Sequence, residues 1–203
     1  MSSSLPAAPD FGDPLPVHAS PQVLAFLALR RSTSALTLIE PAPGPDQLAE
    51  LLRLAIRAPD HGKLSPWRFI VLEGAGKAAF VERLEGLSQA RDDPTLAAKL
   101  VKLKVPPLAV VVVSSPKPGA IPEWEQLLSS AVVCANLLYA TLASGFGANW
   151  ITDWYSYDAQ AGAILGLAEG ERVAGFVLIG TPREPPLERE RPALDPLVTR
   201  WNP

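Results

Sequence analysis

The sequence predicts one domain of mixed helices and strands, with helices covering both faces of a central sheet. Amphipathic helical stripes alternate along the chain with short apolar runs that are typical of strands. One of these runs, at 108–114, carries four consecutive valines and is apolar on both faces, as in a central strand. The chain has 203 residues, of which 48% are hydrophobic, and this is enough for a sizeable core.

Six segments carry the apolar periodicity or the end signals of helices. Pro21 suits the first turn of the first helix, and Asp46 complements the positive end of the second. The longest segment would span roughly 33 Å, is apolar nearly all round, and is expected to form the buried spine of the domain. In chain order the predicted helices are 21–30, 45–57, 77–90, 93–104, 123–144 and 157–165.

Four runs predict strands, and both ends of the chain predict extended segments. Residues 1–20 lack the basic start and apolar stretch of a signal peptide, and we expect a disordered tail. The domain is then 21–203, and its last part, from about 181 to 203, is rich in Pro and Arg yet carries apolar side chains such as Trp201. This composition predicts an arm that packs on another surface, such as a second subunit. The predicted strands are 67–72, 108–114, 149–154 and 173–179.

Composition excludes several classes of function. The formal net charge of −3 leaves no general basic field, so we expect no nucleic-acid partner. Two histidines, His18 and His61, are too few for a multi-histidine metal site, and no metal is expected. The single cysteine, Cys134, is interpreted as a small buried hydrophobe in a cytoplasmic protein. Polar residues interrupt the long helix, so we expect no membrane partner.

Two short motifs place cations beside turns. Arg30, Arg31 and Ser32 follow a predicted helix, where cations are favoured by the helix dipole or could clamp a phosphate. Arg57 ends the next helix and leads into a Pro- and Gly-containing loop with His61. This histidine is either a structural residue or a donor to a ligand.

A third motif follows the long helix. Gly145-Phe146-Gly147 leads into a predicted strand that contains Trp150, Ile151 and Thr152. The strand is either an ordinary aromatic core strand or an edge that lies against a planar cofactor, which glycines would let approach closely. The chain has no GxGxxG after a strand and no Walker loop, so a Rossmann or P-loop site is not indicated.

Taken together, these motifs resemble the nitroreductase family, and in particular its short NAD(P)H nitroreductases. The resemblance runs from about Pro21 to the C-terminus. It rests on Arg-Arg-Ser at 30–32, Ala-Pro-Asp-His at 58–61 followed by Pro-Trp, Gly-Phe-Gly at 145–147, and Gly-Thr-Pro at 180–182. It implies an α+β fold, a three-layer α-β-α sandwich with a mixed, mainly antiparallel sheet. It also implies a homodimer with exchanged arms and two FMN molecules at the dimer interface.

The resemblance also implies roles for individual residues. The phosphate and ribityl end of FMN would be bound by Arg30, Arg31 and Ser32. The flavin ring would be contacted by Arg57 and by His61, the latter from the partner subunit, and on its opposite part by Trp150, Ile151 and Thr152. The nicotinamide nucleotide would lie at the end of the long helix, along Ala140, Thr141, Leu142, Ala143, Ser144 and Gly145.

The chain departs from the family pattern at three places. Ser34 stands where many relatives have Lys or Arg near the flavin pyrimidine, and Ser65 stands where many have Gln. The missing cation would have to be supplied by Arg57 or Lys63. No certain counterpart exists for a phosphate contact from the tail.

The function implied is an FMN-dependent oxidoreductase that uses NADH or NADPH to reduce nitroaromatic, quinone or similar acceptors by ping-pong hydride transfer. The flavin is then the reactive group, and no catalytic side chain is expected. A non-redox flavin- or nucleotide-binding module, as a sensor or store, is the alternative favoured by the missing cation. A hydrolase using His61 with Asp60 or a serine is the third interpretation.

Overall fold

A computed structural model describes residues 5–202 and has one five-stranded sheet between two layers of helices. Residues 1–4 of the predicted tail and Pro203 of the predicted arm lie outside the described residues. The helices are α1 (Pro21–Leu29), α2 (Pro45–Ala55), α3 (Gly74–Ala90), α4 (Pro94–Lys99), α5 (Val101–Lys104), α6 (Glu123–Ala143) and α7 (Ala159–Leu165). The strands are β1 (Leu38–Ile39), β2 (Trp67–Glu73), β3 (Leu108–Ser114), β4 (Gly147–Ile151) and β5 (Arg172–Pro182).

The sheet is organised around β5, which is 11 residues long. One edge of β5 pairs with β3, and β2 pairs with the far side of β3. Two strands share the other edge of β5. β4 pairs there from Gly147, opposite Gly180, to Ile151, opposite Phe176, and β1 pairs with Thr181 and Pro182 at the end of β5. This sharing brings the segment before β1 next to the start of β4.

Two hydrophobic cores, one on each face of the sheet, confirm the predicted α+β layering. Along β3, Ala109, Val111 and Val113 pack towards α3, α5 and α7, whereas Val110 and Val112 pack towards α2 and α6. All seven residues of β3 are buried, as expected of a central strand. Every strand pairing within residues 5–202 is antiparallel, although the resemblance implied a mixed sheet.

Some predicted boundaries were wrong. The strand expected at 149–154 begins at Gly147 and ends at Ile151. It ends because the Asp153 carboxylate accepts a hydrogen bond from the amide of Trp154 at 2.8 Å and begins a 3-10 turn. The single helix expected at 93–104 is two helices joined at Leu100. β1 was not predicted, since two residues carry no readable alternation.

The long helix α6 is the spine of one helical layer. By length and composition alone, α6 is long and apolar enough to cross a membrane, since its mean hydropathy over 18 residues is 1.5. In this fold 44% of those residues are buried. Its inner residues, among them Cys134 and Leu137, are fully buried against the sheet and α2. Burial raises the pKa of the Cys134 thiol to about 12, which agrees with a packing role.

Candidate functional site

The Arg30 side chain is partly buried at the exit of α1. Its guanidinium carbon lies 5.7 Å from the centre of the Tyr139 ring, and one terminal nitrogen is 3.4 Å from Ser32 Oγ. The Nε atom is buried and has no hydrogen-bond partner in the described part of the chain. A buried donor without an acceptor costs about 1–3 kcal/mol. This corner of the fold therefore fits an anionic ligand that would accept from Arg30.

The 30–32 segment is fixed directly beside β4. The amide of Thr33 donates to the carbonyl oxygen of Ala148 at 2.9 Å. At Gly147 an added Cβ would lie 2.6 Å from Leu38 Cδ2 and 3.0 Å from Thr33 Oγ1, so a larger residue would have to displace the buried Leu38 side chain. The structure thus brings together two segments that the sequence separates by more than a hundred residues.

Arg31 points elsewhere, as expected for adjacent residues. Its Nε donates to the carbonyl oxygen of Leu187 at 2.9 Å and lies 3.7 Å from the Glu188 carboxylate. Arg191 also contacts this carboxylate, at 3.0 Å. Arg31 is therefore held by the C-terminal segment of its own chain, while Arg30 is held by α6.

The three candidates on and after β4 have different surroundings. Trp150 Nε1 donates to the carbonyl oxygen of Ala174 at 3.3 Å, and its indole covers Gly175, so this side chain is part of the packing between strands. Ile151 packs against the core on the α3 side. Thr152 is exposed, and its Oγ1 accepts from the Tyr157 hydroxyl at 2.6 Å. Of the three, only Thr152 is an exposed residue.

The end of α6 is only partly accessible. Thr141 is buried, and its hydroxyl donates to Leu137 O at 2.8 Å, while the Ser144 hydroxyl donates to Ala140 O at 2.9 Å. Leu142 is half-buried, and Gly145 leaves the helix with a φ of +86°. The exposed residues of this predicted stretch are Ala143, Ser144 and Gly145.

The 57–65 loop has a strained backbone. Gly62, Lys63 and Ser65 all have positive φ, at 77°, 54° and 47°. The Asp60 carboxylate holds the loop, since it accepts from the amides of Leu64 at 3.2 Å and Ser65 at 2.8 Å. Left-handed backbone at residues other than glycine costs free energy and is concentrated at functional sites.

His61 is tied to the N-terminal part of α6. Its Nδ1 lies 2.7 Å from the Glu125 carboxylate, and the Ser129 hydroxyl donates to the carbonyl oxygen of Pro59. The Asp60 carboxylate and the Ser129 hydroxyl are thus both engaged with the loop backbone, which leaves the hydrolase interpretation without support. Arg57 is exposed and has no ion pair within residues 5–202. No cluster of three or more His, Cys, Asp or Glu side chains suited to a metal occurs in that range either.

The predicted site residues therefore form two groups at different levels of α6. The 30–32 segment, the start of β4 and the end of α6 meet near Tyr139, whereas His61 and its loop lie near Glu125. Fourteen residues of helix separate these levels, which is a rise of about 21 Å. One subunit does not bring the two groups together.

Sequence reasoning missed three residues that position these groups. Tyr139 supports Arg30, Glu125 holds His61, and Tyr157 holds Thr152. The first two lie in the long apolar helix, where the helical pattern gave no reason to single out one side chain. Tyr157 follows β4 closely, and its position next to a candidate strand is the one signal that could have identified it.

Comparison with known proteins gives the family of the chain. Residues 27–181 match the sequence model of the Nitroreductase family. The chain is 33% identical over 163 residues to "Putative NAD(P)H nitroreductase YdjA" of Escherichia coli (strain K12), covering 79% of this chain and 88% of that protein.

Solved structures share the fold. The nitroreductase-like family protein from Bacillus cereus superposes with a TM-score of 0.75 at 22% identity, over 93% of this chain and 99% of that one. A nitroreductase with bound FMN from Bacteroides fragilis superposes with a TM-score of 0.69 at 22% identity, over 90% of this chain and 100% of that one. From its sequence match and its fold, this chain belongs to the nitroreductase family.

Proposed function

We propose that this chain is an FMN-dependent oxidoreductase that passes hydride from NADH or NADPH to nitroaromatic, quinone or similar acceptors in ping-pong fashion. The observation that carries the proposal is the buried Nε of Arg30, beside Ser32 and β4, for which residues 5–202 provide no acceptor. A phosphate group would supply acceptor oxygens at this point. The relatives' names and the FMN-bound structure support the same cofactor.

The side chains of this subunit would bind and orient the cofactor. Arg30 and Ser32 would donate to its phosphate, and Arg31 would add a second guanidinium. β4 pairs with β5 on one side, and on its other side the described residues place no strand. The Ala148 carbonyl accepts there from the amide of Thr33, and the rest of that edge would be available to ring heteroatoms. The flavin itself supplies the hydride chemistry when bound. The protein then positions it and excludes competing reactions, and no acid–base side chain is required.

We further propose that the active unit is a homodimer in which each site takes the 57–65 loop of the partner. The rise of about 21 Å along α6 between the two groups of site residues leaves each group incomplete alone. An antiparallel pairing of two copies of α6 would bring His61 of one near the Arg30 end of the other. Exposed apolar side chains on α1 and the C-terminal segment would be buried in such a dimer; they are Val23, Leu24, Leu27, Leu29, Leu187, Leu194, Leu197 and Trp201.

The dimer also suggests a source for the cation that Ser34 does not provide. Ser34 is exposed, and its hydroxyl accepts a hydrogen bond from the nearby amide of Leu36 at 3.4 Å. Arg57 and Lys63 are exposed on the loop that the partner would contribute. A positive charge from either would stabilise negative charge on the reduced ring. The nicotinamide nucleotide would approach along the exposed end of α6, and a cytoplasmic location would supply it.

An absorbance spectrum of the purified protein tests the cofactor. We expect a yellow protein, or one that becomes yellow with added FMN, that NADH or NADPH bleaches without oxygen and menadione restores. Protein that stays colourless with excess FMN would overturn the proposal. Flavin that is bound but not bleached would favour the non-redox module instead.

Mixing two defective variants tests the shared site. In a dimer of Arg30→Ala with His61→Ala chains, one site carries both substitutions and the other carries neither. Each preparation alone should bind FMN weakly. After the two are refolded together in equal amounts, half of the dimers should be mixed, and about a quarter of all sites should bind FMN as the wild type does. No recovery, with dimers present by light scattering, would assign both residues to the same subunit's site.

A further inference from the structure

Three polar side chains near the start of α6 are buried, and each is committed to the backbone of a neighbouring loop. They are Gln126, Ser129 and Ser130. The two serine hydroxyls donate to the carbonyl oxygens of Pro59 and Pro66, and the Gln126 amide group accepts from and donates to the backbone just before the helix. These three side chains therefore act on the conformation of the loops.

Glu125 lies beside them but binds a side chain instead of the backbone. Its carboxylate is 2.7 Å from Nδ1 of His61, across 64 positions of sequence. The Glu125 and His61 side chains are 43% and 64% exposed, and an exposed pair of this kind contributes little to the free energy of unfolding. The contact therefore matters less for stability than for what it does to the imidazole ring.

The carboxylate of Glu125 decides which ring nitrogen of His61 carries the proton. An ionised carboxylate accepts hydrogen bonds and cannot donate them, so Nδ1 has to be the donor in this contact. A neutral imidazole carries one ring proton, and Nε2 then keeps its lone pair. The contact thus selects the Nδ1–H tautomer and makes Nε2 an acceptor.

The ring of His61 is also held in one direction. The Ser129 hydroxyl holds the backbone before the histidine, and the Asp60 carboxylate holds the backbone after it by accepting two amides. With the backbone held on both sides, the hydrogen bond to Glu125 fixes the side-chain torsions that remain. His61 is exposed, and within residues 5–202 its Nε2 takes part in no hydrogen bond. This nitrogen therefore points away from Glu125 and is open to a donor from outside the subunit.

We propose that Glu125 is a positioning residue for the flavin site of the partner subunit: it keeps His61 in the Nδ1–H tautomer, so that Nε2 accepts a hydrogen bond from the flavin ring. The donor that an oxidised flavin ring offers is its N3–H group, since its other nitrogens and its oxygens carry no hydrogen. The contact with the ring rests on the proposed function and its dimer, whereas the tautomer is a property of this chain by itself. Glu125 would touch neither flavin nor substrate and would act through His61.

Nitrogen-15 NMR of the flavin-free full chain tests the tautomer without any flavin chemistry. A His18→Asn background leaves His61 as the only histidine, and at about pH 8.5 an imidazole is neutral. We expect the proton on Nδ1 in this background and a mixture of tautomers after Glu125→Gln, because an amide can either accept or donate. The matched control is Glu123→Gln, which removes an exposed carboxylate that pairs with Arg172 at 3.1 Å and should leave the tautomer unchanged. A proton on Nε2 before the substitution, or a spectrum that Glu125→Gln does not alter, would overturn the proposal.

The affinities of three flavins test the contact with the ring. Glu125→Gln should weaken binding of FMN, riboflavin and lumiflavin by the same factor, about threefold to tenfold, because the three share the ring and differ in the side chain. Glu123→Gln should bind all three as the wild type does, and the melting temperature of flavin-free Glu125→Gln should stay close to that of the wild type. Unchanged affinities, or a loss confined to FMN, would overturn the ring contact. A wild-type protein that binds no flavin would overturn the proposed function and the ring contact with it, while the NMR result on the tautomer would stand.

Discussion

The Nε of Arg31 donates to the carbonyl oxygen of Leu187 at 2.9 Å, across 156 positions of sequence. The same nitrogen lies 3.7 Å from the carboxylate of Glu188. A carboxylate and a phosphate are both anionic acceptors for a guanidinium. A phosphate that binds Arg31 must therefore displace this carboxylate or share the guanidinium with it.

Glu188→Gln should strengthen FMN binding, because it removes an anion that competes for Arg31. Because the ion pair is exposed, we expect the dissociation constant of FMN, measured by flavin fluorescence, to decrease only about twofold to fivefold. Riboflavin, which has no phosphate, should bind unchanged. The matched control is Glu190→Gln, an exposed neighbour outside this ion pair. An equal gain for riboflavin or in the control would show that the carboxylate does not compete with phosphate.

Arg30→Gln should weaken FMN binding by about tenfold to a hundredfold, the value of a charge-assisted hydrogen bond. Arg30→Lys should recover only part of this, since an ammonium lacks the guanidinium's fork of donors. The flavin-free Arg30→Gln protein should lose little melting temperature, because the buried Nε has no acceptor within residues 5–202 and the contacts to Ser32 and Tyr139 are long. Arg53→Gln, which removes an equal charge from α2, should bind FMN normally. A large fall in melting temperature would instead make Arg30 a structural residue.

The layers of the fold could be predicted because their signals are local. The valines of β3 are apolar on both faces, and β3 is buried on both faces. The apolar stripe of α2 and the long apolar run of α6 predicted the bounds of both helices to within a few residues. β1 could not be predicted, because it has two residues and exists through its pairing with the far end of β5.

The candidate site could be predicted only as a set of segments. The sequence identified the 30–32 segment, the 57–65 loop and β4, but their arrangement depends on side-chain contacts across the fold. His61 meets Glu125 across 64 positions, and Arg30 meets Tyr139 across more than a hundred. Such long-range contacts leave no periodic pattern in the sequence from which they could be predicted. The packing of Trp150 on Gly175 likewise joins residues on two different strands.

Gly175→Ala should destabilise the fold, because its Cβ would overlap the indole of Trp150. The indole is also held by its hydrogen bond to Ala174 O, so it cannot shift freely. Overpacking of this kind costs about 1–3 kcal/mol in the free energy of unfolding, measured by urea denaturation. A Trp150→Leu background should remove most of the effect, which a double-mutant cycle would report. Equal losses in both backgrounds would mean that the overlap is not the cause.

Stability should fall at acid pH through Glu171. The Arg68 hydrogen bonds lower the pKa of the Glu171 carboxyl from 4.5 to about 2. A carboxyl with a depressed folded-state pKa stabilises the protein above its unfolded pKa, and this contribution is lost as the pH falls towards the folded value. We therefore expect the urea midpoint to decrease between pH 4.5 and about pH 2.

Glu171→Gln should be less stable than the wild type at neutral pH and should lose less stability across that acid window. Glu169→Gln, an exposed neighbour in the same turn, should follow the wild-type curve. The stabilities of Glu171→Gln and the wild type should converge near pH 2, where the wild-type Glu171 carboxyl also becomes neutral. A constant difference between Glu171→Gln and the wild type from pH 7 to pH 2 would show that the ionisation of Glu171 is not what the fold depends on.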